Sequence, residues 1–170
     1  MTKEEIIKIA VQASKEYDKD HSKSRHDRRL RNTKLLLENY NLLQDHCKNA
    51  VYDKEQIINL RAVDALDSFD ACDNEAYIES IKKSTVRTKI ILTHIDEMLE
   101  LYKFYCEKSN RREDARRYRV LKAVYFEERR IQDVTDAEKI DERTYYRDLR
   151  VSREKLSALI FGIDGLYNLS

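Results

Sequence analysis

Residues 131–161 read IQDVTDAEKIDERTYYRDLRVSREKLSALIF, and they divide at Ile140-Asp141 into two amphipathic pieces. Asp141 is the hinge. An aspartate in front of a periodic run can accept a hydrogen bond from an otherwise orphaned backbone N–H at position 143 or 144, so it predicts a helix start. Behind it Tyr145, Leu149, Ser152, Leu156, Leu159 and Ile160 recur at spacings of three and four, which lines them along one inward face. The first piece offers Ile131, Val134 and Ile140 as apolar contacts, and Thr135 is a small residue at the point where two such helices must approach closely.

The outward face of the second piece carries Glu142, Arg143, Tyr146, Arg147 and Arg150. A short helix, a turn and a capped helix that presents arginines at its N-terminus form the pattern of a helix-turn-helix. Arginine can grip guanine O6 and N7 with two parallel hydrogen bonds, while further Arg and Tyr side chains hold phosphates. The expected base contacts are therefore Glu142, Arg143, Tyr146 and Arg147. The expected phosphate contacts are Arg116, Arg117, Arg119 and Arg150. An Arg-rich capped helix can also be an ordinary solvated surface helix in a chain that is 38% charged. Here the cap, the apolar register and the arginine face coincide, and that favours recognition of double-stranded DNA.

On ERTYYRD at 142–148, REKLSALIFG at 153–162 and the upstream RRYRVLKAVYF at 116–126, the chain resembles the region-4-like helix-turn-helix of sigma-type factors. It also resembles the ArpU and RinA-like late-gene regulators encoded by phages of Gram-positive hosts. The similarity covers roughly residues 111–165. It implies a transcription regulator of phage or prophage origin that works on DNA beside RNA polymerase. The chain departs from the family pattern at Glu138, where an apolar residue is usual, and at Lys139, the usual glycine position. That departure predicts a turn that is looser or differently packed than in the family.

Composition sets the class of the whole chain. Among 170 residues there is no proline, and the two glycines, Gly162 and Gly165, lie near the end, so hairpin turns and Gly-rich phosphate loops lack their residues. An all-α protein follows, with an N-terminal helical bundle or oligomerisation region over 1–110 and the helix-turn-helix domain over 111–170. No apolar run approaches the ~20 residues that cross a bilayer, and MTKEEIIKIAVQASKEY is an acid-containing amphipathic start rather than a signal peptide. A cytoplasmic protein is expected.

Cys47, Cys72 and Cys106 are odd in number and widely spaced, which fits reduced thiols packed among helices. With the four histidines they form no CxxC or HExxH pattern, so neither a metal nor a cofactor is expected. Asp64, Asp67, Asp70 and Asp73 fall three apart, yet no second acidic motif joins them to complete a hard-cation site. They read as a capping turn. No nucleophile-base pair stands out either, so the chain is not expected to be an enzyme.

Charge is segregated although the formal net charge is only +1. Residues 21–34 carry six Lys or Arg against one Asp, residues 111–130 eight against four acids, and residues 51–80 two against eight acids. A near-neutral chain can still bind nucleic acid if its basic residues share a surface.

Periodicity predicts a helix over 3–19 with Ile6, Ile7, Ala10, Val11, Ala13, Ser14 and Tyr17 on one face. Its partner is expected over 27–50, rich in leucine. A third helix is expected over Lys54–Leu66, an Asp-rich loop over 67–75, and either one helix over Asn74–Lys108 or two joined near Ser84-Thr85. The polar EKSNRRED at 107–114 marks the boundary, and Ile163, Leu166 and Leu169 could tuck back onto the last domain. The N-terminal part would then serve oligomerisation, a homodimer for instance, or contact RNA polymerase. The competing reading is a non-enzymatic interaction protein that binds the polymerase or another regulator through its helical surface.

Overall fold

The computed structural model describes residues 3–49, 62–67 and 73–162, and all regular structure among them is helical. In chain order the elements are α1 (Lys3–Glu38), α2 (Tyr40–Lys48), α3 (Ala62–Asp67), α4 (Asn74–Lys82), α5 (Thr85–Lys108), α6 (Arg112–Tyr125), α7 (Ile131–Glu138) and α8 (Glu142–Phe161). The all-α expectation holds. No described helix is long and apolar enough to cross a membrane. Most of the expected helix over Lys54–Leu66, most of the Asp-rich loop with Cys72, and the tail with Ile163, Leu166 and Leu169 lie outside the described residues.

Two expected helices at the N-terminus are one. Residues 20–26, DHSKSRH, contain neither Gly nor Pro, and each polar residue lowers helix propensity by well under ~1 kcal/mol, so α1 runs through them for 36 residues. A helical hairpin needs a turn, and nothing here supplies it. The apolar residues assigned to a packed face therefore stay in water: Ile7, Val11 and Tyr17 are all exposed, as is Ile9. Burial begins at the half-buried Arg29 and Leu30 and is nearly complete at Asn32, Thr33, Leu35, Leu36 and Leu37.

The expected helix over 27–50 breaks at Asn39, whose side-chain amide donates to the Leu35 carbonyl at 2.9 Å beside its own backbone N–H at 3.1 Å. Asn competes for backbone groups in this way and interrupts helices. At Ser84 the two-helix option is realised, with the hydroxyl accepting from Arg87 N–H at 3.3 Å to cap α5. Thr88 fastens the corner by donating to the Ile81 carbonyl at 2.8 Å.

α5 is the axis of the molecule, packing against α2, α3, α4, α6 and α8. Its inward residues Ile91, Ile95, Tyr102 and Cys106 are buried, and Cys47 and Cys106 are both free thiols. The His94 ring nitrogen Nε2 donates to the Ile160 carbonyl at 2.8 Å and joins α5 to the end of α8. The chain breaks between α5 and α6 inside the expected 107–114 boundary, while buried apolar side chains on both sides belong to one cluster. α1, from the first part, also packs directly on α8.

Candidate functional site

Three helices build the site. α6 lies against α8, and the short α7 bridges them. Between α7 and α8 the turn is tight, so of the two alternatives expected from Glu138 and Lys139 the looser turn is not the one found. Ile140 N–H donates to the Thr135 carbonyl at 3.0 Å and Lys139 N–H to Asp136 at 3.3 Å, the paired bonds of a Schellman C-cap. This closure requires a left-handed residue, and Lys139 takes it at φ 54° and ψ 50°. Left-handed backbone costs a side-chain-bearing residue about 1–2 kcal/mol, so Lys139→Gly should raise unfolding stability by about 1 kcal/mol, read from the urea midpoint. A loss of stability would mean that the lysine side chain itself holds the turn.

Thr135 is buried at the close approach, Val134 is buried beside it, and Ile140 packs on the core as the residue following the cap. Asp141 then starts α8 as expected, its carboxylate accepting from Thr144 N–H at 2.7 Å. That hydrogen bond, with Arg143 and Arg147 nearby, holds the Asp141 carboxyl below its ordinary range.

α8 changes character along its length. From Leu156 to Phe161 almost every side chain is buried, Leu156 and Ile160 completely, and at the end of the helix His94 of α5 meets the Ile160 carbonyl while Arg29 of α1 lies over the Phe161 ring. Nearer the N-terminus only one face is covered, by Tyr145, Asp148, Leu149 and Ser152. Glu142, Arg143, Tyr146, Arg147 and Arg150 are exposed on the other. The two adjacent tyrosines separate cleanly: Tyr145 is 6% exposed and Tyr146 59%. Arg143, Arg147 and Arg150 take part in no side-chain ion pair among the described residues, so their guanidinium groups face solvent, with Asp141 and Glu142 at the helix start beside them.

The remaining expected phosphate contacts pair with carboxylates of the fold, Arg116 and Arg117 mostly covered and Arg119 still exposed. Arg116 Nε donates to Asp148 Oδ2 at 2.6 Å and Arg117 Nε to Asp148 Oδ1 at 3.4 Å. Arg117 also reaches Asp114 Oδ1 at 3.0 Å, and Lys155 reaches the same oxygen at 3.4 Å. Arg119 makes a two-pronged pair with Glu138, both bonds 2.8 Å, and ties α6 to α7. Glu138, out of place by the family pattern, is therefore the anchor of that contact. The Arg119 guanidinium draws its carboxyl below the usual range. Burial alone would raise the Asp114 carboxyl, but hydrogen bonds from Ser109, Lys155 and Arg117 bring it below its ordinary value.

Sequence reasoning missed Asp148, Asp114 and Lys155 as a group. The signal was present: Asp148 sits three residues after Tyr145 and four before Ser152, on the inward face, and a buried carboxylate requires cations. The Arg116-Arg117 pair upstream was the available source. Among the described residues no group of His, Cys, Asp and Glu is placed to hold a metal ion. Compared with family models, with curated proteins and with solved structures, the chain matches none.

Proposed function

We propose that this chain is a sequence-specific, double-stranded-DNA-binding transcription regulator, non-enzymatic and cytoplasmic, with α7 and α8 acting as a helix-turn-helix of the sigma-region-4-like kind. The observation that carries this reading is the division of α8 into a buried C-terminal half and an arginine-faced N-terminal half. A reading helix needs both a rigid root and a free face, because side chains discriminate bases only when their backbone is held in register. Arg143 and Arg147 read base edges with Tyr146 and Glu142, and Arg150 grips phosphate. Arg116, Arg117 and Arg119 act indirectly, by fixing α8 and α7 to α6. The resemblance to phage late-gene regulators supports a phage or prophage origin, and α1 to α5 supply the oligomerisation or polymerase-contacting part.

Binding to random-sequence duplex pools, selected and sequenced at two salt concentrations, tests the proposal. Wild type should enrich one motif, and Arg143→Ala/Arg147→Ala should lose it while keeping the same thermal unfolding. Weak binding without a motif, or binding indifferent to those arginines, would sink the recognition role of α8. A protein partner such as RNA polymerase is the second reading, favoured by the exposed Asp133 and Asp136 on α7 beside the basic face. It expects Arg147→Ala to leave function intact.

A further inference from the structure

The outer face of α5 carries more apolar surface than a monomer requires. Leu101, Phe104 and Tyr105 are 47%, 57% and 52% exposed, although the helix has a separate inward face through Ile95, Tyr102 and Cys106. They are neighbours at spacings of three and four and form one patch over about a turn. The charges on either side of the patch differ in sign. Toward the N-terminus lies exposed Glu97, while Asp96, held by the Tyr40 hydroxyl, and Glu100 line the cleft on the α2 and α6 side; toward the C-terminus lies Lys108, with Glu107 off to one side and Arg111 and Arg112 following at the start of α6. Lys103 pairs with Glu100 at 3.9 Å, and the Lys108 ammonium lies 5.6 Å from the Phe104 ring centroid, over the patch.

An acid-apolar-base stripe complements itself in one orientation only. If a second copy runs parallel, like charges meet. If it runs antiparallel, Glu97 faces Lys108 of the other copy, and Leu101 faces Phe104 in both directions at once. Residue-for-residue reciprocity is the signature of a twofold interface. We infer that the α5 faces of two copies pair antiparallel about a twofold axis between Leu101 and Phe104, making a homodimer. This pairing depends on α5 alone and stands or falls separately from DNA recognition. One helix pair covers less than the roughly 800 Å² per partner of a standard interface, so the dimer is weak, with a Kd on the order of 10 μM.

Sedimentation across a concentration series of the full chain tests this, with far-UV circular dichroism verifying that each variant is folded. The 20.3 kDa chain should pass from monomer to dimer as concentration rises. Phe104→Asp should raise the dimer Kd by about 30-fold, as loss of a central apolar anchor does. Glu97→Lys and Lys108→Glu should each weaken the dimer, because each sets like charges opposite one another, and the double variant should restore it. A monomer at every concentration, or a dimer indifferent to Phe104→Asp, overturns the proposal. A dimer that Phe104→Asp weakens, but that associates as wild type does with either charge reversal and with both together, overturns the antiparallel pairing.

Discussion

Asp148→Asn should cost about 3 kcal/mol of unfolding free energy, since removing one partner of a buried ion pair leaves the other desolvated and uncompensated. The substitution barely changes shape, so the loss reports charge. Asp148 is fully buried, while the Arg116 and Arg117 side chains keep 21% and 18% of their exposure. The arginines can therefore turn partly toward water, and the cost falls at the lower end for buried pairs. Urea unfolding is the measurement, and a loss below ~1 kcal/mol would mean that Asp148 carries no net load. Arg116→Met/Asp148→Leu should recover much of the stability, because apolar residues fill such space without a desolvation penalty.

Acid should reveal the neighbouring carboxylates by their sign. Asp114 and Glu138 have folded values lowered from 3.8 and 4.5, so the stability they add is complete above those values. It disappears as the pH falls through the lower folded values.

Leu156→Ala should cost about 3–4 kcal/mol, the range for a completely buried leucine whose surroundings cannot collapse. The form of the loss matters as much as its size. Leu156 belongs to the core cluster, in which the apolar residues before and after the 107–114 break take part together, and α8 packs against α1, α5 and α6. Unfolding should shift as a single transition. The chain has 11 tyrosines and no tryptophan, so tyrosine fluorescence and the main far-UV circular dichroism transition, which follows a shallow early loss of helix from the unpacked start of α1, should have coincident midpoints. Two separated transitions would show that α6 to α8 fold apart from the rest.

The helical class was legible because a chain without proline, and with glycine only near its end, has few other ways to satisfy its backbone. The start of α8 was equally legible: Asp141 and the Tyr145-Leu149-Ser152-Leu156 register are local signals, read within one helix. Boundaries decided by what is missing were harder. Residues 20–26 look like a turn by polarity, yet polarity does not end a helix, and α1 passes through them. Asn39 hid within a leucine-rich run whose hydrophobic weight suggested continuity. The arginines of α6 show a different limit, since sequence records their number and spacing but not the carboxylates they meet across helices. Arg116 and Arg117 depend on Asp148, more than thirty residues away, and no periodicity within α6 points there.

α1 is a single helix of 36 residues, about 54 Å long, and among the described residues its buried side chains all lie in its last third. Local opening therefore has two regimes in one element. Before Leu30 the helical hydrogen bonds are backed by almost no apolar burial, and an isolated helix in water is only marginally stable, so these turns can unwind and rewind without disturbing the core. Beyond Leu35 the same motion would pull Leu36 and Leu37 out of the interior and so take the whole molecule with it. One continuous rod thus behaves as two cooperative units, and the junction between them lies at Asn32 and Thr33, where the first side chains disappear from water.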